Sequence, residues 1–93
     1  KSNTWYGPVV NGKVENHLLS DLSYSPDRRL IGVFMTLIDS NQFYSLYIKE
    51  TTDIKSNWVL LDDSENIRSI LFDLDGKMMG CHAITGQIYK KRT

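Results

Sequence analysis

Apolar residues in this 93-residue chain come in short runs or alternate with polar ones, and they do not recur at helical spacing. Val, Ile, Leu, Tyr and Phe dominate the runs, which are the side chains that suit a pleated surface. Turn chemistry separates them: "NG" at Asn11-Gly12, "SPDR" beginning at Ser25, "LDGK" beginning at Leu74 and "TG" at Thr85-Gly86. The pattern predicts eight strands, near residues 5–10, 19–24, 30–35 and 43–49, then 58–61, 67–72, 78–84 and 87–92. The middle strands are apolar on both faces, as in Leu30, Ile31, Val33, Phe34 and Met35, or Ile70, Leu71 and Phe72. A sheet built from them needs cover on both sides.

The chain repeats itself. "LLSDLSYSPDRRLIGVF" from Leu18 aligns with "NIRSILFDLDGKMMGCH" from Asn66 over 17 columns at a constant offset of 48. Leu19 falls on Ile67, Leu22 on Ile70, Tyr24 on Phe72, Asp27 on Asp75, Leu30 on Met78, Ile31 on Met79 and Gly32 on Gly80. Further on, "LYIKET" from Leu46 pairs with "IYKKRT" from Ile88 at offset 42, so the first copy carries six extra residues between these blocks. Upstream, "KSNTW" ending at Trp5 pairs with "KSNW" ending at Trp58. Each copy therefore runs Trp strand, apolar strand, Asp turn, Gly-containing strand, Tyr strand, in a unit of about 40–55 residues. That length suits a four-stranded propeller blade better than a helical repeat.

Composition narrows the class. Hydrophobic residues are 41% and charged residues 24%, a globular balance in one small domain. Apolar runs are far too short to cross a membrane as a helix, so no membrane role is expected. Eleven Lys plus Arg balance eleven Asp plus Glu, and the basic excess of a nucleic-acid binder is missing. Lys90-Lys91-Arg92, the one basic cluster, reads as a solvated strand edge. One cysteine excludes an internal disulfide; no glycosylation sequon occurs, and nothing specifies a compartment. The missing initiator Met and leader suggest an excised or processed segment.

Several motifs imitate chemistry. "LFDLDGKMMG" from Leu71 resembles the opening of a haloacid-dehalogenase phosphatase loop, with Asp73 as nucleophile and Asp75 as acid/base. Its own repeat sets Ser25 at the nucleophile position, Lys77 follows where that class has Thr, and only 18 residues follow Asp75. Asp27 and Asp75 are expected instead to hydrogen-bond their own turns, and no catalytic residue is assigned. Asp73, Asp75 and Gly76 also begin like a calcium loop, but Met78 and Met79 occupy ligand territory. His17, His82 and Cys81 lack zinc spacing. His82 aligns with Phe34 and Cys81 with Val33, so both are expected to fill packing positions, with Cys81 an unreactive buried thiol. No metal or cofactor is predicted.

The Trp, apolar, Asp-Gly, Gly and Ile-Tyr-Lys series resembles the repeat of tachylectin and tectonin β-propellers. The second copy matches at Trp58, Ile67, Ser69, Phe72, Asp75-Gly76, Gly80, Ile88-Tyr89 and Lys91. The first matches at Trp5, Leu19, Tyr24, Pro26-Asp27, Gly32 and Leu46-Tyr47, but has Arg28 in place of the turn glycine and a long "LIDSNQFYS" hairpin. The resemblance implies an all-β propeller fragment of two four-stranded blades, about residues 1–52 and 53–93. It also implies a lectin-like, non-catalytic scaffold binding carbohydrate, in particular N-acetylated sugars, between blades. Trp5 and Trp58 are the candidates for stacking on a sugar. One Trp at the same place in each repeat is more often a packing anchor between blades.

Closed propellers use about four to eight blades, so two blades need company. The Trp5 strand is expected to pair beside Ile88, Tyr89 and Lys91 of a neighbouring copy. That gives a head-to-tail homo-oligomer, preferred as a trimer of six blades. Two other readings stand beside it. One is a structural or engineered fragment that only self-assembles. The other is a monomeric eight-stranded barrel or sandwich, in which both Trp strands find partners inside one chain.

Overall fold

Runs of β-branched and aromatic residues fold as strands throughout. The computed structural model describes residues 3–50 and 52–91. These residues form β1 (Leu18–Tyr24), β2 (Leu30–Ile38), β3 (Asn41–Lys49), β4 (Val59–Asp62), β5 (Ile67–Phe72), β6 (Met78–His82) and β7 (Ile88–Lys90), with no helix among them. They make two antiparallel sheets, ordered β1-β2-β3-β4 and β5-β6-β7.

The two sheets reproduce each other's register. Leu22 lies opposite Gly32 as Ile70 lies opposite Gly80, and Tyr24 opposite Leu30 as Phe72 opposite Met78. Gly32 then faces Tyr47 as Gly80 faces Tyr89. Even the irregularities coincide: the register slips between Leu19 and Asp21 in β1 and between Ile67 and Ser69 in β5. These positions are related by the same offset of 48.

One face of the first sheet packs on one face of the second. Ile31, Val33 and Leu46 meet Ile67 and Ile70 in the buried core, with Ile48, Leu61, Phe72 and Met78 packed around them. Each fully buried aliphatic side chain here contributes about 1.5–3 kcal/mol. Two polar side chains tie the sheets together. Asp21 accepts from the Ile70 backbone N–H at 3.0 Å, and Asn66 Oδ1 accepts from the Tyr44 N–H at 2.8 Å. Without those partners the buried backbone donors would be orphaned.

Three expectations need correction. Residues 5–10 form bends and irregular chain, not a strand, and Trp5 is 94% exposed. Gly7 and Pro8 interrupt the run, and Pro8 removes a ladder donor. The second sheet consequently has three strands where four were expected. The first reaches four by recruiting β4, the strand that the repeat counts as the start of its second copy. The barrel or sandwich of eight strands required partners for both Trp strands, and among the described residues only the Trp58 strand has one. Arg92, the end of the predicted eighth strand, and Lys1-Ser2 lie outside the described residues.

The six extra residues of the first copy lengthen β2 and β3 rather than forming a loop. Their ladder continues through Leu37–Gln42 to Ile38–Asn41, and Asp39 (φ 51°) and Ser40 (φ 70°) close a two-residue turn. The tip is an exposed arm, with Leu37 and Ile38 facing solvent.

Candidate functional site

The phosphatase-like aspartate is a turn fastener. The Asp73 carboxylate accepts the backbone N–H groups of Asp75 and Lys77, both at 2.9 Å, and pairs with Lys90 at 3.0 Å. These partners, the Lys77 N–H first and Lys90 next, hold its pKa below the ordinary 3.8. Ser25 has the same task in the other repeat: its hydroxyl accepts the Arg29 N–H at 3.0 Å. Asp27 does bond within its own turn, to the Ser25 hydroxyl and to Arg29 Nε. The expectation for Asp75 is corrected, because it enters its turn through the backbone N–H while Asp73 supplies the side chain.

Trp58 occupies a built slot on the outer face of the first sheet. Its ring edge lies over Gly32, where a Cβ would come within 2.9 Å of Cη2 and Cζ3. Phe34 meets it edge-to-face at 5.0 Å, Tyr47 stacks likewise on Phe34 at 5.2 Å, and the indole N–H donates to the Asn11 carbonyl. The Lys49 ammonium sits 5.3 Å over the Trp58 ring. Lys49 is only 1% exposed, and its ammonium has no hydrogen-bond partner among the described residues.

The second sheet repeats this slot with Gly80, His82, Tyr89 and Lys91 in the matching register. His82 and Tyr89 lie 5.7 Å apart with their rings tilted by 33°, where Phe34 and Tyr47 meet edge-to-face. Here the Ile67 side chain lies over Gly80, where a Cβ would come within 2.5 Å of its Cγ2, and a crevice of about 310 Å³ opens beside it between the sheets, walled by Leu46 and Met78, with Asp62 and Lys91 at its rim. Asp62 is held below the ordinary 3.8, chiefly by the Ser64 backbone N–H and hydroxyl and then by Lys91 at 3.2 Å.

A broader groove of about 930 Å³ lies under the projecting arm, where the arm faces the opposite sheet. Asn41, Gln42, Asn66 and Arg68 line it with amide and guanidinium groups, and Phe43 and Tyr44 supply aromatic surface. Neither Trp lines it. Asn66 holds a left-handed backbone (φ 53°), which aims its side chain at the Tyr44 N–H while its carbonyl accepts the Ala83 N–H. The sequence reading named none of these groove residues. Its one signal was the six-residue difference in spacing between the repeats.

The remaining candidates are spoken for or scattered. His17 Nδ1 bonds the Glu15 carbonyl and its ring stacks edge-on with Tyr47; His82 Nδ1 accepts from the Ile84 and Thr85 N–H groups. Cys81 is half-buried on the far face of the second sheet, less covered than Val33, its fully buried counterpart. Val33 has the second sheet packed on it; within the chain no sheet packs on the face that carries Cys81. Compared with known proteins, the chain matches no protein-family model, no curated protein and no solved structure.

Proposed function

We propose that this chain is a segment of a β-propeller acting as a non-catalytic, lectin-like binding scaffold, with a saccharide held in the groove under the arm. The carrying observation is the break in symmetry. The six residues by which the repeats differ raise the arm that forms one wall of the groove, and Asn66, Arg68, Ala83 and Ile84 supply the other. A saccharide needs an apolar wall for its C–H face and fixed donors and acceptors for its hydroxyls. Phe43 and Tyr44 answer the first need, and Asn41, Gln42 and Arg68 the second. An N-acetyl group adds a methyl and an amide, which Leu37 and the groove's own amides suit. The aromatic surface comes from these residues rather than from Trp5 or Trp58. Head-to-tail copies, three giving six blades, complete the ring through Trp5, Ile88, Tyr89 and Lys91.

A glycan array followed by titration with N-acetylated sugars tests this reading. Saturable binding is expected, weakened at least about tenfold by Arg68→Ala, the loss of one charged hydrogen-bonding group. Replacing the arm with the short Thr85-Gly86 hairpin of the second sheet is expected to abolish binding and leave the strand signature in circular dichroism. Absence of saturable binding to any glycan overturns the saccharide reading and leaves a structural scaffold whose activity is self-assembly.

A further inference from the structure

The second sheet repeats the residues that hold Trp58 in the first, and among the described residues no tryptophan sits on them. In the first sheet the set Gly32, Phe34, Tyr47 and Lys49 holds Trp58, delivered by the edge strand β4. In the second sheet Gly80, His82, Tyr89 and Lys91 stand at the same register positions, and among the described residues β7 has no strand on its outer side. Gly80, Tyr89 and Lys91 of this set line the inter-sheet crevice, with the Ile67 side chain standing over Gly80. The one other tryptophan in the chain is Trp5, preceded like Trp58 by Lys-Ser-Asn and almost wholly exposed. It does not reach this crevice within its own chain. Its segment runs over the outer face of the first sheet, where the Asn11 carbonyl accepts from Trp58 and Gly12 lies against Leu19. The crevice opens on that sheet's other face.

The exposed apolar surface gives the same answer independently. Within the chain, Ile31, Val33 and Leu46 of the first sheet cover Ile67, Ile70 and Phe72 of the second. The repeat counterparts of the first trio are Met79, Cys81 and Ile88, on the far face of the second sheet beside Leu71. Leu71 and Ile88 are 59% and 62% exposed. The counterparts of the second trio are Leu19, Leu22 and Tyr24, on the outer face of the first sheet, where Leu22 and Tyr24 are exposed. The chain thus presents both halves of its own internal junction, pointing away from each other.

We infer that a second copy of this chain completes the second sheet, its Trp5 entering the crevice lined by Ile67, Tyr89 and Lys91 while its Leu22 and Tyr24 cover Leu71, Met79 and Ile88. The contact is heterologous, repeating between copies the packing found once within each. It rests on the propeller reading and names the key and the lock, but it is independent of any saccharide.

Sedimentation velocity at increasing concentration tests it, with far-UV circular dichroism to confirm folding. The wild-type chain is expected to assemble beyond its monomer mass of 10.7 kDa. Trp5→Ala removes a side chain that touches solvent in the single chain, so the fold persists; its half-assembly concentration is expected to rise at least about tenfold, the cost of losing a buried aromatic anchor. Ile88→Asp and Leu22→Asp, each on an exposed position of one face, block assembly separately. Mixed together they are expected to give a species of two chains, because each retains the face the other lacks. A wild-type chain that stays monomeric overturns the inference and the propeller reading together. Assembly unaffected by Trp5→Ala overturns the Trp key and leaves self-assembly standing. A mixture that yields no two-chain species overturns the head-to-tail contact.

Discussion

Arg28 holds a backbone conformation that its repeat assigns to glycine. Its φ is 69°, against 80° at Gly76, and a side chain in this left-handed region costs about 1 kcal/mol. Arg28→Gly is therefore expected to stabilise the chain by about 0.5–1 kcal/mol in urea unfolding, with the sheets unchanged. Asp62 acts through charge. Its folded-state pKa lies below the ordinary 3.8, so its contribution is complete above that value and lost as pH falls through the lower folded one. Asp62→Asn is expected to cost about 0.5–1 kcal/mol at neutral pH, a small effect because the site faces solvent. The melting temperatures of variant and parent should converge as pH drops below about 4. Turn roles were half legible at this scale. The Asp-Gly pair announced a turn, but which carboxylate fastens it depends on backbone N–H directions that composition does not encode.

Strands were the most legible elements, because short β-branched runs punctuated by Gly, Pro and Asp admit few other structures. The matched slips after Leu19 and Ile67 were not legible, since an extra residue in a strand leaves no mark in hydrophobic alternation. Nor was the arm, whose residues 36–43 read as a long hairpin loop before their pairing was known. The Trp slot is an element-scale device: β4 adheres to β3 through a short ladder and is anchored by one indole over one glycine. Gly32→Ala puts a methyl within 2.9 Å of that indole. Trp58 must lift, and the expected loss is about 1–3 kcal/mol with a blue-to-red shift in tryptophan emission. An unchanged spectrum and stability would show that β4 is held by its ladder alone.

At the scale of the molecule, the repeat made the pairing of sheets readable and left their composition ambiguous. Four strands per sequence copy did not become four per sheet, because β4 follows β3 in space while belonging to the next copy in sequence. The groove was not legible because its residues come from distant segments, Asn41 and Gln42 from one sheet and Asn66 and Arg68 from the other. Only a register sets them side by side.

The position of β4 also governs the order in which the nascent polypeptide acquires structure. A ribosome must release residue 62 before the first sheet has all its strands, and by then the β4–β5 connection is already emerging. The second sheet's first strand, β5, thus arrives beside a finished platform with Ile31 and Val33 still wet. Its docking dries them, which makes vectorial synthesis, rather than a search among all seven strands, the natural route to the native arrangement.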